Sequence, residues 1–328
     1  MVSTLRLAFI FWMLLTLQVS SRGVSAYTSI DEKPLVSSSI ANPSLMRSNS
    51  ANFTGCGGTT VPVVNATYER EVVYLVNQER AKAGLPPLKR SIELEEASRY
   101  HAADLAQDNY FEHDSYDRAG EELVYVCSTW ERIQKYHPSP SAENIAGGYA
   151  TPSSVMNGWM TSSGHRNNIL SDYSWEIGVG YYQGGSYGSY WVQDFGRRPG
   201  VYPLIINQEA ENTDTRSVWL YIYGDWAEVR LRNDDDTWSS WIPFQNNLNW
   251  ELGGGVGTHT VWAELRTVSD STLSSDTINL TEDDFPRSDT PTPTVTQVPG
   301  DTPNPTQTPV AITYSEFVFL PQILKVRP

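Results

Sequence analysis

Along the chain the apolar positions change their period twice. Over 69–83, Val72, Val73, Val76 and Arg80 fall at helical intervals, Tyr74 and Leu75 widen the stripe, and Gly84, Pro86 and Pro87 stop it, so a helix is predicted there. A second helix is predicted over 92–108, where Leu94, Ala97, His101 and Leu105 recur every three or four residues after Ser91 as N-cap. A third is predicted over 151–160, with Thr151 as cap, Pro152 in the first turn and Val155, Met156 and Trp159 facing inward. From residue 176 the period falls to two. Segments 176–182 and 189–195 alternate, are rich in Val, Tyr and Trp, and flank the Gly-rich stretch 183–188, the pattern of a hairpin. Helices first and a hairpin after predict an α+β first domain over 62–200.

Helical period then disappears. Alternating runs at 217–223, 227–231 and 258–265, separated by Asn, Asp and Gly turns, predict a small all-β, Ig-like sandwich over 201–285. Its Trp and Tyr residues have two readings, sandwich core or a face that stacks on sugars. Residues 286–311 are rich in Thr, Pro, Gln and Val, an extended linker. The segment 312–328 is short and apolar, read either as an edge strand that folds back or as a cell-surface address.

Ahead of the first domain, 27–61 is rich in Ser and Asn without apolar period and reads as a flexible lead-in. Residues 1–26 carry a cationic start, an apolar run over 7–19 and the small-x-small Val24-Ser25-Ala26, the form of a cleaved signal peptide. The run is shorter than the roughly 20 residues a membrane span needs, and no later run is longer. The mature chain is therefore expected outside the cell, free or surface-associated, with no transmembrane span.

Composition narrows the partners. A net charge of -15 over 328 residues leaves no cationic face for phosphates, which excludes nucleic acid. Cys56 and Cys127 are the two cysteines, and an even pair in an exported chain predicts a disulfide, here pinning the stretch before the first helix to a loop.

Candidate chemistry centres on 158–170, where His165 stands between a small-residue turn and an Asn-rich stretch. With His113, Glu143 and Glu176 it offers two imidazoles and two carboxylates to one cleft. These are ligand types a divalent cation such as zinc accepts, although they are scattered and show no HExxH or paired-Cys spacing. The same atoms suit a glutamate orienting a histidine that acts as general base, which makes Glu143 and His165 the candidate catalytic residues of a metal-assisted peptidase or esterase. Ser162 lies three residues before His165 but on no Gly-x-Ser-x-Gly elbow, so a cap or turn role competes with a place in the cleft. Asn144 reads as a cleft or turn residue, and Glu176 as a cleft carboxylate or a strand-end ion pair. His101 lies on an apolar stripe and reads as a core histidine; His137 and His259 are expected to lie apart from the cleft.

The blocks Asn77-Gln78-Glu79-Arg80, Gly84 to Leu88, Ala97 to Ala106, Phe111-Glu112-His113, Ala142-Glu143-Asn144-Ile145-Ala146, Trp159 to Leu170, Glu176 to Gly180 and Tyr190 to Gly196 resemble, in order, the signature blocks of the CAP or SCP superfamily. That superfamily holds cysteine-rich secretory proteins, insect venom antigens and plant pathogenesis-related proteins. The resemblance covers about residues 68–198 and is to the bacterial branch, which lacks the extra cysteines of animal members. It implies a three-layer α-β-α sandwich with two histidines and two glutamates in a cleft. By position His113, Glu143 and His165 are three of these, whereas the fourth falls on Ser162, leaving Glu176 to supply a carboxylate from the strand. Ala142 replaces the usual glycine. Members are implicated in divalent-cation binding, in sterol or lipid binding and in proteolysis, with no common activity. The resemblance thus implies a secreted CAP-domain protein whose cleft binds a divalent cation, zinc foremost, and an unidentified small ligand, lipid or cell-surface glycan. A hydrolase, or adhesion through the sandwich, stands as the alternative.

Overall fold

The computed structural model describes residues 53–282; the expected signal peptide, the linker 286–311 and the segment 312–328 lie outside them, as does 27–52 of the lead-in. Helix α1 (Ala66–Lys82) begins three residues before the predicted start because Asn65 accepts the amide of Tyr68 as N-cap. Strand β1 (Lys89–Arg90) is short, and α2 (Ile92–Asp108) follows with Ser91 as its cap, as the spacing predicts. A hairpin of β2 (Ser115–Ala119) and β3 (Glu122–Cys127) leads into α3 (Thr129–Ile133), whose capping box joins Ser128 and Glu131. Then come β4 (Pro140–Gly147), α4 (Pro152–Thr161), α5 (Ser163–Ile169), β5 (Glu176–Gly184) and β6 (Gly188–Gly196).

Strands β1, β5, β6 and β4 form one sheet in that order, with β4 at an edge. Alternation sorts its side chains to two helical layers. Ile177, Val179 and Tyr181 of β5, Trp191 and Phe195 of β6 and Ala142 and Ala146 of β4 pack on Val72, Val73 and Val76 of α1 and on Val155, Met156 and Trp159 of α4. On the other face, Ile145, Tyr190 and Val192 pack on Ala102, Leu105 and Ala106 of α2. Helix α2 crosses so close to β5 that a Cβ on Gly178 would lie 2.1 Å from the Leu94 carbonyl carbon, and one on Gly180 would lie 2.2 Å from that of Ser98.

Residues 53–61, expected as flexible lead-in, are instead packed on this block. Phe53 and Val61 are buried beside Tyr100 and Ala103, and Tyr100 donates its hydroxyl to Gly55 O at 2.8 Å. The Cys56–Cys127 disulfide is formed and ties this stretch to the end of β3. Their polar composition hid the two apolar anchors.

The second block contains β7 (Leu204–Ile206), β8 (Asn212–Thr213), β9 (Ser217–Ile222), β10 (Glu228–Asn233), β11 (Ile242–Pro243), β12 (Asn247–Glu251), β13 (Gly257–Arg266) and β14 (Ser271–Leu280). One sheet runs β11-β10-β13-β14-β8 and another β12-β9-β7, and both contribute to one core that includes Leu220, Ile222, Val229, Leu231, Val261, Ala263 and Leu265. The blocks meet through stacking of Trp175 on Tyr223, with ring centroids 4.6 Å apart, and through polar contacts. Lys89 of β1 reaches Glu209 and Asp276, Asn77 donates to Gln208 O at 3.0 Å, and the Tyr223 hydroxyl donates to Pro87 O at 2.8 Å.

Candidate functional site

The edge strand β4 organises the cleft. Its alternation turns Glu143 toward α2 with Ile145, and Asn144 toward the opposite layer. Glu143 is fully buried. Its Oε1 meets Nδ1 of His113 at 2.8 Å, in the turn between α2 and β2, and its Oε2 accepts from Nη2 of Arg132 in α3. The same guanidinium donates through Nη1 to His113 O at 2.7 Å and to Ser115 Oγ at 3.1 Å, so one buried arginine fixes both the carboxylate and the backbone of its imidazole partner. Burial alone would raise the Glu143 carboxyl, but the Arg132 guanidinium and the hydrogen bond from His113 hold it well below the ordinary carboxylate range.

Two further groups close this polar layer. His101 is wholly buried with Nε2 at 3.0 Å from Glu112 O, and burial, reinforced by Arg132, keeps it neutral. Asp194 of β6 is paired in register with Glu143, and burial plus the Glu143 charge push it well above the ordinary value, so it carries the proton that two adjacent carboxyls cannot both lose. The Ser98 hydroxyl donates to its Oδ2 at 2.9 Å.

His165 arrives from α5. Its carbonyl accepts from Asn144 Nδ2 at 3.2 Å; that amide also donates to Gln193 Oε1 at 3.0 Å, while Asn144 Oδ1 accepts from Asn168 Nδ2 at 2.9 Å. Asn168 Nδ2 further donates to Glu143 O at 3.2 Å. Amides thus fasten α5 to β4, with Asn168 as the member of the Asn-rich stretch that makes the link. Burial and the nearby His113 imidazole lower the His165 pKa.

Of the residues expected in the cleft, His113 and Glu143 are in direct contact, while His165 is joined to β4 through its carbonyl and lies near enough to His113 for the two imidazoles to interact. Asn144 is next to them but holds α5 in place with its side chain. Ser162 is a backbone junction, C-cap of α4 and N-cap of α5, and makes no side-chain cap hydrogen bond. Glu176 is not in the cleft: its Oε1 accepts from Nη2 and Nε of Arg198 at 2.6 and 2.9 Å, and its Oε2 from the Arg198 amide at 2.9 Å, with His137 Nε2 at 3.2 Å. Burial opposes its ionisation, but His137 and Arg198 lower it to about 2. It lies two strands from Glu143, on the far side of β6. Glu143 itself, read as a cation ligand, has both oxygens engaged and serves His113 instead.

Arg132 and Asp194 were missed by sequence reasoning. Asp194 carried a usable signal, a carboxyl on the inward side of an alternating strand between Val192 and Gly196. Arg132 carried only the Ser128–Glu131 capping-box spacing of a five-residue helix.

Residues 73–195 match the sequence profile of CAP, the Cysteine-rich secretory protein family. The Bacillus subtilis protein YkwD is 37% identical over 139 residues, 42% of this chain and 50% of that protein, and the Bacillus subtilis membrane protein YlbC is 30% identical over 138 residues, 41% of this chain and 36% of that protein. The chain thus spans half or less of these curated relatives. Among solved structures, an extracellular protein containing a SCP domain from Bacillus anthracis shows 26% identity and a TM-score of 0.35 over 41% of this chain and 42% of that one. An outer surface protein from Borrelia burgdorferi shows 21% identity and a TM-score of 0.35 over 41% and 96%. No described helix is long and apolar enough to cross a membrane.

Proposed function

With residues 73–195 forming a CAP domain that has bacterial relatives, we propose that its cleft binds a divalent cation, zinc foremost, through the imidazoles of His113 and His165, in a protein that works outside the cell. The observation that carries this reading is the 2.8 Å contact between Nδ1 of His113 and Oε1 of the buried, ionised Glu143. A carboxylate that accepts a hydrogen bond from Nδ1 orients the ring and fixes its tautomer, the second-shell arrangement that supports metal-binding histidines. The lowered pKa of His165 keeps its ring neutral, the form a cation accepts. Two imidazoles are donor types that a zinc ion accepts, which supports the reading. A bound cation would supply Lewis-acid polarisation to whatever ligand enters.

Export is supported by the apolar run 7–19 with its cationic start and small-x-small site, and by the Cys56–Cys127 bridge, which an oxidising compartment preserves. A hydrolytic use of the cleft is not favoured, because Glu143 is held by Arg132 and His113 and does not face a substrate.

The test is the zinc content of the purified full-length chain, measured by plasma mass spectrometry after equilibration with trace zinc, beside a His113→Ala/His165→Ala variant. Near-stoichiometric zinc that is lost in the variant is the expected result. Metal-free wild type, or metal that survives the double substitution, would overturn the reading.

A further inference from the structure

The junction of the two blocks holds a groove of about 350 Å³, with Pro86 and Pro87 from the α1–β1 turn on one wall and Trp219, Tyr221, Gln208 and Asn247 on the other. We infer that this groove is a binding site for a neutral oligosaccharide, separate from the histidine cleft.

Three observations carry the inference. Trp219 and Tyr221 are alternate residues of β9, so their rings project from one face of the sheet with centroids 6.1 Å apart, and both remain partly exposed. Two such rings in a row form a platform for the C–H faces of consecutive sugar units. The remaining lining is chemically matched: it contains amides, backbone and proline rings and no charged side chain, on a chain whose net charge is -15. Amides both donate and accept, as hydroxyls and acetamido groups require, and an uncharged lining favours a neutral polymer over an acidic one.

The third observation is strain. Asn207, Gln208 and Glu209 are consecutive non-glycine residues in the left-handed region, with φ of 44°, 61° and 66°. Such a backbone is unfavourable for a residue with a Cβ and persists only where its surroundings hold it. All three are held. Asn207 Oδ1 accepts the Trp219 amide at 2.8 Å, Gln208 O accepts Asn77 Nδ2 at 3.0 Å, and Glu209 pairs with Lys89 at 2.9 Å. The turn thereby locks Gln208 into the groove wall and fixes the amide of the stacking tryptophan. Because the Tyr223 hydroxyl also ties the second block to Pro87, the groove is built before ligand arrives.

The experiment titrates the full-length chain calorimetrically with a β-1,4-linked N-acetylglucosamine tetramer, with cellotetraose and maltotetraose as neutral comparisons, and with a neutral proline-rich peptide. Saturable binding of at least one tetramer is expected. It should weaken about tenfold or more in Trp219→Ala and severalfold in Asn247→Ala, whose exposed side chain carries little folding risk, and should be unchanged in Trp262→Ala, on the other sheet of the same block. His113→Ala should also leave it unchanged, which separates this site from the cleft. Absence of binding by all three sugars up to about 10 mM, capture of the peptide in their place, or binding that responds to Trp262→Ala but not to Asn247→Ala would overturn the assignment.

Discussion

His113 meets Oε1 of Glu143 through Nδ1 at 2.8 Å, and that carboxylate is sealed from solvent with Arg132 on its other oxygen. A partly buried imidazole is thus oriented by a fully buried ion pair. Glu143→Gln removes the charge but keeps the shape, so the fully buried Arg132 guanidinium keeps only Asp194 as a counter-charge, which must then release its proton, and the loss should be at most about 3–5 kcal/mol. Where the fold survives in mild conditions, zinc affinity should drop about 10–100-fold through loss of His113 orientation. Urea unfolding and calorimetric zinc titration read the two effects separately, and unaltered zinc affinity in a folded variant would remove the orienting role.

Asp194 behaves differently although it neighbours Glu143. It already holds its proton, so Asp194→Asn should change stability by less than about 1 kcal/mol, whereas Asp194→Ala should cost more by leaving a cavity in the buried polar layer, the Ser98 hydroxyl keeping Gly178 O as acceptor at 3.2 Å. Equal losses for Asn and Ala in urea titrations would mean that Asp194 is ionised.

How much of this was legible in the sequence depended on whether one period ran unbroken. Helix α2 was, because Ser91 caps an undisturbed three-four spacing, and so was the β5–β6 hairpin. Strand β4 was not: Glu143 and Asn144 are polar residues buried on opposite faces, and they erase the alternation by which a strand is recognised. The imidazoles and Glu143 could be nominated by residue type, but Arg132 belongs to the site only because α3 packs beneath β4. Glu176 was misplaced for the converse reason. Its partner Arg198 lies just past Gly196, its register mate in the β5–β6 pair, a proximity that appears only once the hairpin closes.

The Cys56–Cys127 bridge spans 71 residues, and loop closure of that length is worth about 4 kcal/mol. Replacing both cysteines by Ala should lower the thermal midpoint, with the packing of Phe53 and Val61 limiting the loss. A reductant should shift the wild type by the same amount and leave the double variant unmoved.

Gly178 and Gly164 form an internal comparison. A Cβ at Gly178 would strike the α2 backbone at 2.1 Å, so Gly178→Ala must displace the helix and should cost about 3 kcal/mol or more. Gly164 lies in α5 with nothing within 4 Å, and Gly164→Ala should be neutral or stabilise by about 0.5–1 kcal/mol. Chemical denaturation of the two variants checks both, and a tolerated Gly178→Ala would contradict the close approach of α2 to β5.

Glu209 predicts a pH dependence located at the block junction. Its side chain is 9% exposed and faces Lys89 at 2.9 Å, with Asp276 bound to the same ammonium and Arg90 nearby. Burial, and then the Asp276 charge, raise it from 4.5 to about 7 against the pull of Lys89. A folded state that keeps its proton to higher pH than the unfolded chain binds more protons between those values, so stability falls as pH rises from about 4.5 to about 7 and this contribution is level beyond it. Glu209→Gln keeps an acceptor for Lys89 and has no proton to lose. Measured by urea unfolding, the variant should therefore gain on the wild type as pH rises from 5 to 8, by at most about 3 kcal/mol at about 1.4 kcal/mol per pKa unit. Lys89 retains Asp276 throughout, so a variant that instead lost ground as the pH rose would show that Glu209 is ionised and needed by the junction.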